Sequence, residues 1–116
     1  MFLVRNRQMD VMDLEIKKKF IIETAKDMNK YYPEWCVGKS EEAIKEFVEK
    51  IVQFAHNYRI FMSHNIYDLI HIEINYDLFS LLNRNLSLKQ ILSNANRIET
   101  LRIEDVKTYL LKSLNN

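Results

Sequence analysis

SEEAIKEFVEKIVQFAHNY, residues 40–58, settles the architecture more than any other stretch of the chain. Its apolar side chains Ile44, Phe47, Val48, Ile51, Ala55 and Tyr58 follow one another at intervals of three or four residues. That spacing puts them on one side of an α-helix and is the strongest amphipathic pattern in the chain. Glu42, Glu46, Glu49 and Gln53 fall on the opposite side. Ser40 reads as the N-cap, and Glu41 and Glu42 complement the positive end of the helix dipole.

The same rules extend outward. Upstream, Asp13 is an N-cap candidate with Glu15 behind it, and Phe20, Ile21, Ala25, Met28 and Tyr32 recur at helical spacing, so a helix is predicted from about Leu14 to Tyr31. Pro33 disfavours helical geometry at Tyr32, which predicts a loop through Tyr32-Pro33-Glu34-Trp35-Cys36-Val37-Gly38-Lys39. Residues 1–12 show no period and read as an arm; 13–116 read as one helical domain. Downstream, Ser63 is a cap candidate for a helix carrying Ile66, Leu69, Ile70 and Ile74. Residues 70–74 alternate and also fit a strand, but a lone strand would have no partner, so helix is preferred. Residues 76–86 read as a short helix and a turn rich in Asn83 and Asn85, and Ser87-Leu88-Lys89-Gln90 has capping-box spacing ahead of Ile91, Leu92 and Ala95. Ile98 and Leu101 are out of phase with Ile103, Val106, Leu110 and Leu114, which predicts a bend near Leu101–Ile103.

The fold expected is therefore all-α, a bundle of four to six helices. Its core is Ile21, Ala25, Ile44, Phe47, Val48, Ile51, Ala55, Ile66, Leu69, Ile70, Ile91, Val106 and Leu110. Glu73 conflicts with this pattern, since at about 100° per residue it falls on the apolar side between Ile66 and Leu69. Either the helix ends before it or it is partly buried against Arg59 or Arg97.

Composition agrees. The 116 residues hold one Gly and one Pro, where average usage gives roughly eight and six, so the turn residues of an all-β fold are missing. Lys and Arg number 17 against 16 Asp and Glu, and the two halves of the chain are each balanced. No global field favours nucleic acid or an anionic membrane. Cys36 is the sole cysteine, which excludes an intramolecular disulfide and a second zinc thiolate and favours a reducing compartment. Four apolar residues precede Arg5, too few for a signal peptide, and no apolar run is long enough for a membrane span, so a cytoplasmic location is expected.

Few groups carry chemistry. His64, Asp68 and His71 share one helix face and could meet a metal, but the face opposite Ile66 and Leu69 is expected to be solvated, so no metal and no cofactor are assigned. Cys36 has no adjacent basic residue and reads as a buried structural thiol. One glycine cannot build a nucleophile elbow or a phosphate loop. Lys17-Lys18-Lys19 with Lys26 and Lys30 is interleaved with Glu15, Glu23 and Asp27, as a solvated face is. Arg97, Arg102 and Lys107 partly fit a nucleic-acid recognition helix. The surface features that fit a protein partner are the aromatic segment Tyr31, Tyr32 and Trp35 and the acidic stripe Glu42, Glu46 and Glu49.

The order of elements carries a resemblance. A helix ends in Tyr32-Pro33; then come Phe47-Val48, Val52, Ala55, Tyr58 and Ile60, a helical stretch leading to Phe79, Ile91-Leu92, and Arg97-Ile98 with Leu101. Between about Phe20 and Leu101 this resembles the small all-α companion proteins encoded beside type VI secretion spike and toxin genes in Gram-negative bacteria. Arg59 and Asn75 stand where that family commonly has Gly. The resemblance implies a non-enzymatic role with no small-molecule substrate and no membrane: an immunity protein that neutralises a cognate toxin, or an adaptor that loads an effector. An immunity role acting in the cytoplasm would require a toxin that works there. A nucleic-acid-binding regulator is the third reading, against which the balanced charge predicts no retention on duplex DNA.

Overall fold

The computed structural model describes residues 14–114, so the arm predicted at 1–12 and the Asp13 cap lie outside the described residues. Seven helices follow in order: α1 (Leu14–Tyr31), α2 (Pro33–Cys36), α3 (Glu41–Asn57), α4 (Ser63–Tyr76), α5 (Leu78–Leu82), α6 (Leu86–Ser93) and α7 (Glu99–Leu114). Among the described residues there is no strand, and the alternating residues 70–74 are helical. The all-α class stands, with one helix more than the four to six expected. The extra one is α2: Pro33 occupies its first turn, where a fixed φ and a missing N–H cost nothing, so the proline that ends α1 also starts a new turn. Gly38, at φ +79°, then takes the left-handed geometry that turns the chain into α3.

α3 packs on α1 and α4, α4 on α7, and α7 on α6, with α2 on α1 and α5 bridging α4 and α6. The core comprises Ala25, Met28, Ile44, Val48, Ile51, Ala55, Ile66, Leu69, Ile70, Val106 and Leu110 among others. Ile21, Phe47 and Ile91, expected inside, are only partly buried at its edge.

Ser40 caps α3 as expected, its hydroxyl accepting the Ala43 N–H at 3.1 Å. The C-terminus of α3 closes in a Schellman motif, in which the Arg59 N–H reaches His56 O at 3.0 Å and the Ile60 N–H reaches Ala55 O at 2.8 Å, with Arg59 at φ +57°. The other two caps differ from expectation. Met62, not Ser63, is the N-cap of α4, and the free donors there go to the carboxylate of Glu99 on α7, which accepts from Phe61 N (3.1 Å), Met62 N (2.7 Å) and Asn65 Nδ2 (2.8 Å). α6 starts at Leu86 and is capped by Asn85 onto Leu88 N (3.2 Å), so the Ser87–Gln90 box is already inside the helix. No bend occurs at Leu101–Ile103. The chain breaks earlier, between Ser93 and Glu99, and the phase conflict is resolved by leaving Ile98 and Leu101 in solvent, 68% and 40% exposed.

Arg102 holds this corner. It is buried, and its guanidinium donates to four carbonyls: Leu92 O (2.6 Å), Tyr58 O (2.7 Å), Arg97 O (3.1 Å) and Arg59 O (3.2 Å). The ends of α3 and α6 are thereby fixed to α7.

Candidate functional site

α3 is the element that carries the candidate surface. Ile44, Val48, Ile51, Val52 and Ala55 are buried, and at about 3.6 residues per turn Glu46 falls opposite them, with Glu42 and Glu49 at the side of the outward face. All three glutamates are exposed. Lys45 approaches Glu42 (3.5 Å) and Glu41 (3.8 Å). Among the described residues no cationic side chain lies within 4.0 Å of Glu46 or Glu49. The stripe is therefore a net acidic surface on a helix fixed by its core contacts.

The aromatic segment, expected as a loop, includes the short helix α2 and sits against the core. Tyr31, Tyr32 and Trp35 are half-buried against the core, and the last two face different helices. The Tyr32 hydroxyl meets His71 Nδ1 of α4 at 3.0 Å. Burial, then the charge of Asp68, pushes this phenol above its ordinary range, so it stays neutral. Trp35 packs on Phe47 of α3 with ring centroids 4.5 Å apart, and the Lys39 ammonium lies over the indole at 4.2 Å while donating to Trp35 O. Tyr31 carries Lys30 at 5.3 Å from its ring centroid. Trp35 thus covers the flank of α3 that carries Phe47, about 100° round the helix from Glu46, whereas Tyr32 belongs to the α1–α4 side.

Sequence reasoning missed a second aromatic cluster further along this edge of α3. Phe54 packs on Tyr58 (5.0 Å between centroids) and on Phe79 of α5 (4.8 Å), all three half-buried. Phe47, Phe54 and Tyr58 stand at i, i+7 and i+11, a signal present in the sequence; periodicity alone assigns such positions to the core, because it does not say which flank a neighbouring helix covers.

The remaining candidates are occupied by structural contacts. The His64–Asp68 face is only partly solvated and packs on α7: His64 Nε2 lies 3.2 Å from Thr100 Oγ1, and Asp68 accepts from Lys107 Nζ at 3.1 Å. Burial pulls the Lys107 ammonium down, but the hydrogen bonds and charges of Asp68 and Glu104 outweigh it and hold it above its usual range. His71 points elsewhere, and among the described residues no group of three His, Cys, Asp or Glu side chains is placed to hold a metal. Cys36 is buried; burial raises its thiol, with Lys39 opposing, so the thiolate is disfavoured at neutral pH. Arg102 faces inward, Arg97 is paired bidentately with Asp105, and Lys107 is held by Asp68 and Glu104, so the three do not present a recognition face. Helix α4 continues through Glu73, whose partner is neither Arg59 nor Arg97: its carboxylate accepts the Phe79 N–H at 2.9 Å, at the start of α5. Burial raises this carboxyl, the Phe79 hydrogen bond partly opposing it.

A groove of about 420 Å³ runs between α4, α5, α6 and α7, lined by Ile74, Leu81, Leu88, Tyr109 and Leu110, with Asp77 the one charged group among its described lining. A single carboxylate offers no acid–base pair. No helix among the described residues is long and apolar enough to cross a membrane. In comparisons with known proteins, no family model, curated protein or solved structure matches this chain.

Proposed function

We propose that this chain is a non-enzymatic protein-binding module, an immunity protein that binds and neutralises a cognate secreted antibacterial toxin through its α2–α3 side. The observation that carries the reading is the placement of Glu42, Glu46 and Glu49 on the outward face of α3, with no ion pair to Glu46 or Glu49 among the described residues. A rigid, net acidic helix speeds association with a basic surface by steering and suppresses wrong partners. Many nucleic-acid- and nucleotide-directed active sites are basic, and occluding one requires a shaped surface but no chemistry. The resemblance to companions of secretion-associated toxins points the same way, and the Cys36 and His64 environments add no reactive group.

Co-expression with the protein encoded beside this gene tests the reading. Rescue of a poisoned cell, together with a purified complex, is expected. Unchanged toxicity with lost secretion would replace immunity by the adaptor role, and no binding to any neighbour-encoded product would refute both. Salt-sensitive retention on duplex DNA would instead favour a nucleic-acid-binding regulator.

A further inference from the structure

We propose that the groove between α4, α5, α6 and α7 is a binding site for a small organic cation, an alkyl or aryl ammonium with an apolar body. No residue of α2 or α3 lines it among the described residues, so this goes beyond the protein-binding reading and does not depend on it. Its volume of about 420 Å³ lies within the ~300–1,000 Å³ of ordinary small-molecule sites. Of its lining, Leu88 and Leu110 are buried, and Ile74, Leu81 and Tyr109 are half-buried. The lining is fixed before any ligand arrives: Asn85 Nδ2 donates to the Tyr109 hydroxyl at 3.0 Å, and Asn85 Oδ1 accepts the Leu88 N–H at 3.2 Å. A trough of this kind takes an apolar body, such as a phenyl ring on a short chain, out of water.

Charge at one end of the groove selects a cation. Asp77 is exposed, is the one charged group among the described lining, and makes no ion pair among the described residues. It is the C-cap of α4, so its carboxylate stands where the negative end of that helix dipole also lies, and the last turn of α4 has no basic residue to offset it. Glu73 adds to this field: its carboxyl is raised by burial first and further by the charge of Asp77. The positive end of α6 borders the groove too, but Asn85 caps it. Arg84, Lys89 and Lys112 adjoin lining residues in sequence, yet all three are exposed and none lines the groove; Lys112 lines the neighbouring cleft with Asp105. Tyr76 and Tyr109 supply rings, whose faces attract an ammonium. An apolar trough with a negative rim disfavours an anionic ligand and favours an ammonium over its uncharged isostere.

The probes are phenylbutylamine, phenylbutanol and phenylbutyrate, one apolar body with a cationic, neutral or anionic head at about pH 7. Each is titrated into the full chain and followed by backbone amide shifts in proton–nitrogen NMR. Saturable shifts confined to residues 74–77, 81, 88 and 109–113 are expected. The amine should bind at least ~threefold more tightly than the alcohol, with the butyrate weakest. Asp77→Asn should lower the amine to the alcohol's affinity and leave the alcohol unchanged; asparagine tolerates the left-handed φ of +54° at this position, so the α4–α5 turn is kept. The parent in about 0.5 M salt gives the same comparison without a substitution, the ratio of amine to alcohol affinity falling toward one. No saturable shift, equal affinity of amine and alcohol in the parent, tighter binding of the butyrate, or shifts spread over the whole surface would each overturn the proposal. So would an amine preference that survives Asp77→Asn or high salt. Binding seen only after Phe2→Ser with Leu3→Ser would overturn it by making the chain's own first residues the occupant. A concentration-dependent dimer that carries the same shifts would do so by making it a second copy.

Discussion

Replacing Arg102 by Met removes the guanidinium while keeping an unbranched, helix-compatible stem. Two of its four acceptors, Leu92 O at 2.6 Å and Tyr58 O at 2.7 Å, share Nη1, and the bond to Leu92 O is buried. The other two belong to the exposed residues Arg59 and Arg97 and are rehydrated on loss of the partner. Stranding a buried carbonyl costs ~1–3 kcal/mol. Counting only the two short bonds, at ~2 kcal/mol each, gives ~4 kcal/mol. The cleft of about 360 Å³ beside Arg102, lined by Asn57, Tyr58 and Ser93, admits water to part of this site. The buried arginine also carries a desolvation cost, visible as a guanidinium pulled below its usual range, which methionine would not carry. Together these trim the loss to ~2–3 kcal/mol, which at ~4–6 °C per kcal/mol for a domain of this size lowers Tm by ~8–18 °C. Arg102→Lys, with one compact head group in place of a planar fork, should fall between the parent and the methionine variant. The assay is thermal and urea unfolding followed by far-UV circular dichroism, with the urea slope expected unchanged. A loss below ~1 kcal/mol for Arg102→Met, the net value of one ordinary hydrogen bond, would refute the claim that this side chain fastens α3 and α6 to α7.

Glu73→Gln keeps an oxygen acceptor for Phe79 N and removes an ionisation that burial disfavours. Because the folded-state carboxyl titrates above its unfolded value, ionisation costs stability as pH rises through that interval, and the cost persists above it. The variant is therefore expected to melt higher than the parent at about pH 7, with the difference vanishing below the ordinary Glu range; a lower Tm at neutral pH would contradict the burial argument. Arg59→Gly relieves a left-handed φ of +57° and should stabilise by ~0.5–1 kcal/mol in urea unfolding, with no gain expected if the Schellman geometry is not formed. Simultaneous Glu46→Gln and Glu49→Gln should leave Tm within ~2 °C while weakening toxin rescue, since these exposed side chains make no ion pair among the described residues; a large fall in Tm would show the stripe to be structural. Asp105→Asn should unfold at the same urea midpoint as the parent in about 0.5 M salt, because the Arg97–Asp105 pair is exposed and screened.

Whatever local rules govern could be read along the chain. The end of α1 at Tyr31, the Ser40 cap, the inward set Ile44, Val48, Ile51 and Ala55, and the outward glutamates all follow from a helical period, a proline that stops it and a capping side chain a few residues away. Whatever depended on a distant partner was settled by assembly of the helices. The N-cap of α4 is Met62, and the backbone leading into it is anchored by a carboxylate, Glu99, 37 residues further on, which a local serine cannot reveal. The phase break before α7 is fixed by Arg102 reaching back to carbonyls 43 and 44 residues earlier, which converts an expected bend into a turn ending at Ile98. In the candidate site the glutamates were legible because they are the complement of the buried face. The aromatic edge was not, because a helix period counts Phe47, Phe54 and Tyr58 as apolar without saying that α1 and α4 would pack on the opposite flank and leave these rings at the border with water. Burial is a property of neighbours, and neighbours are chosen only when the helices assemble.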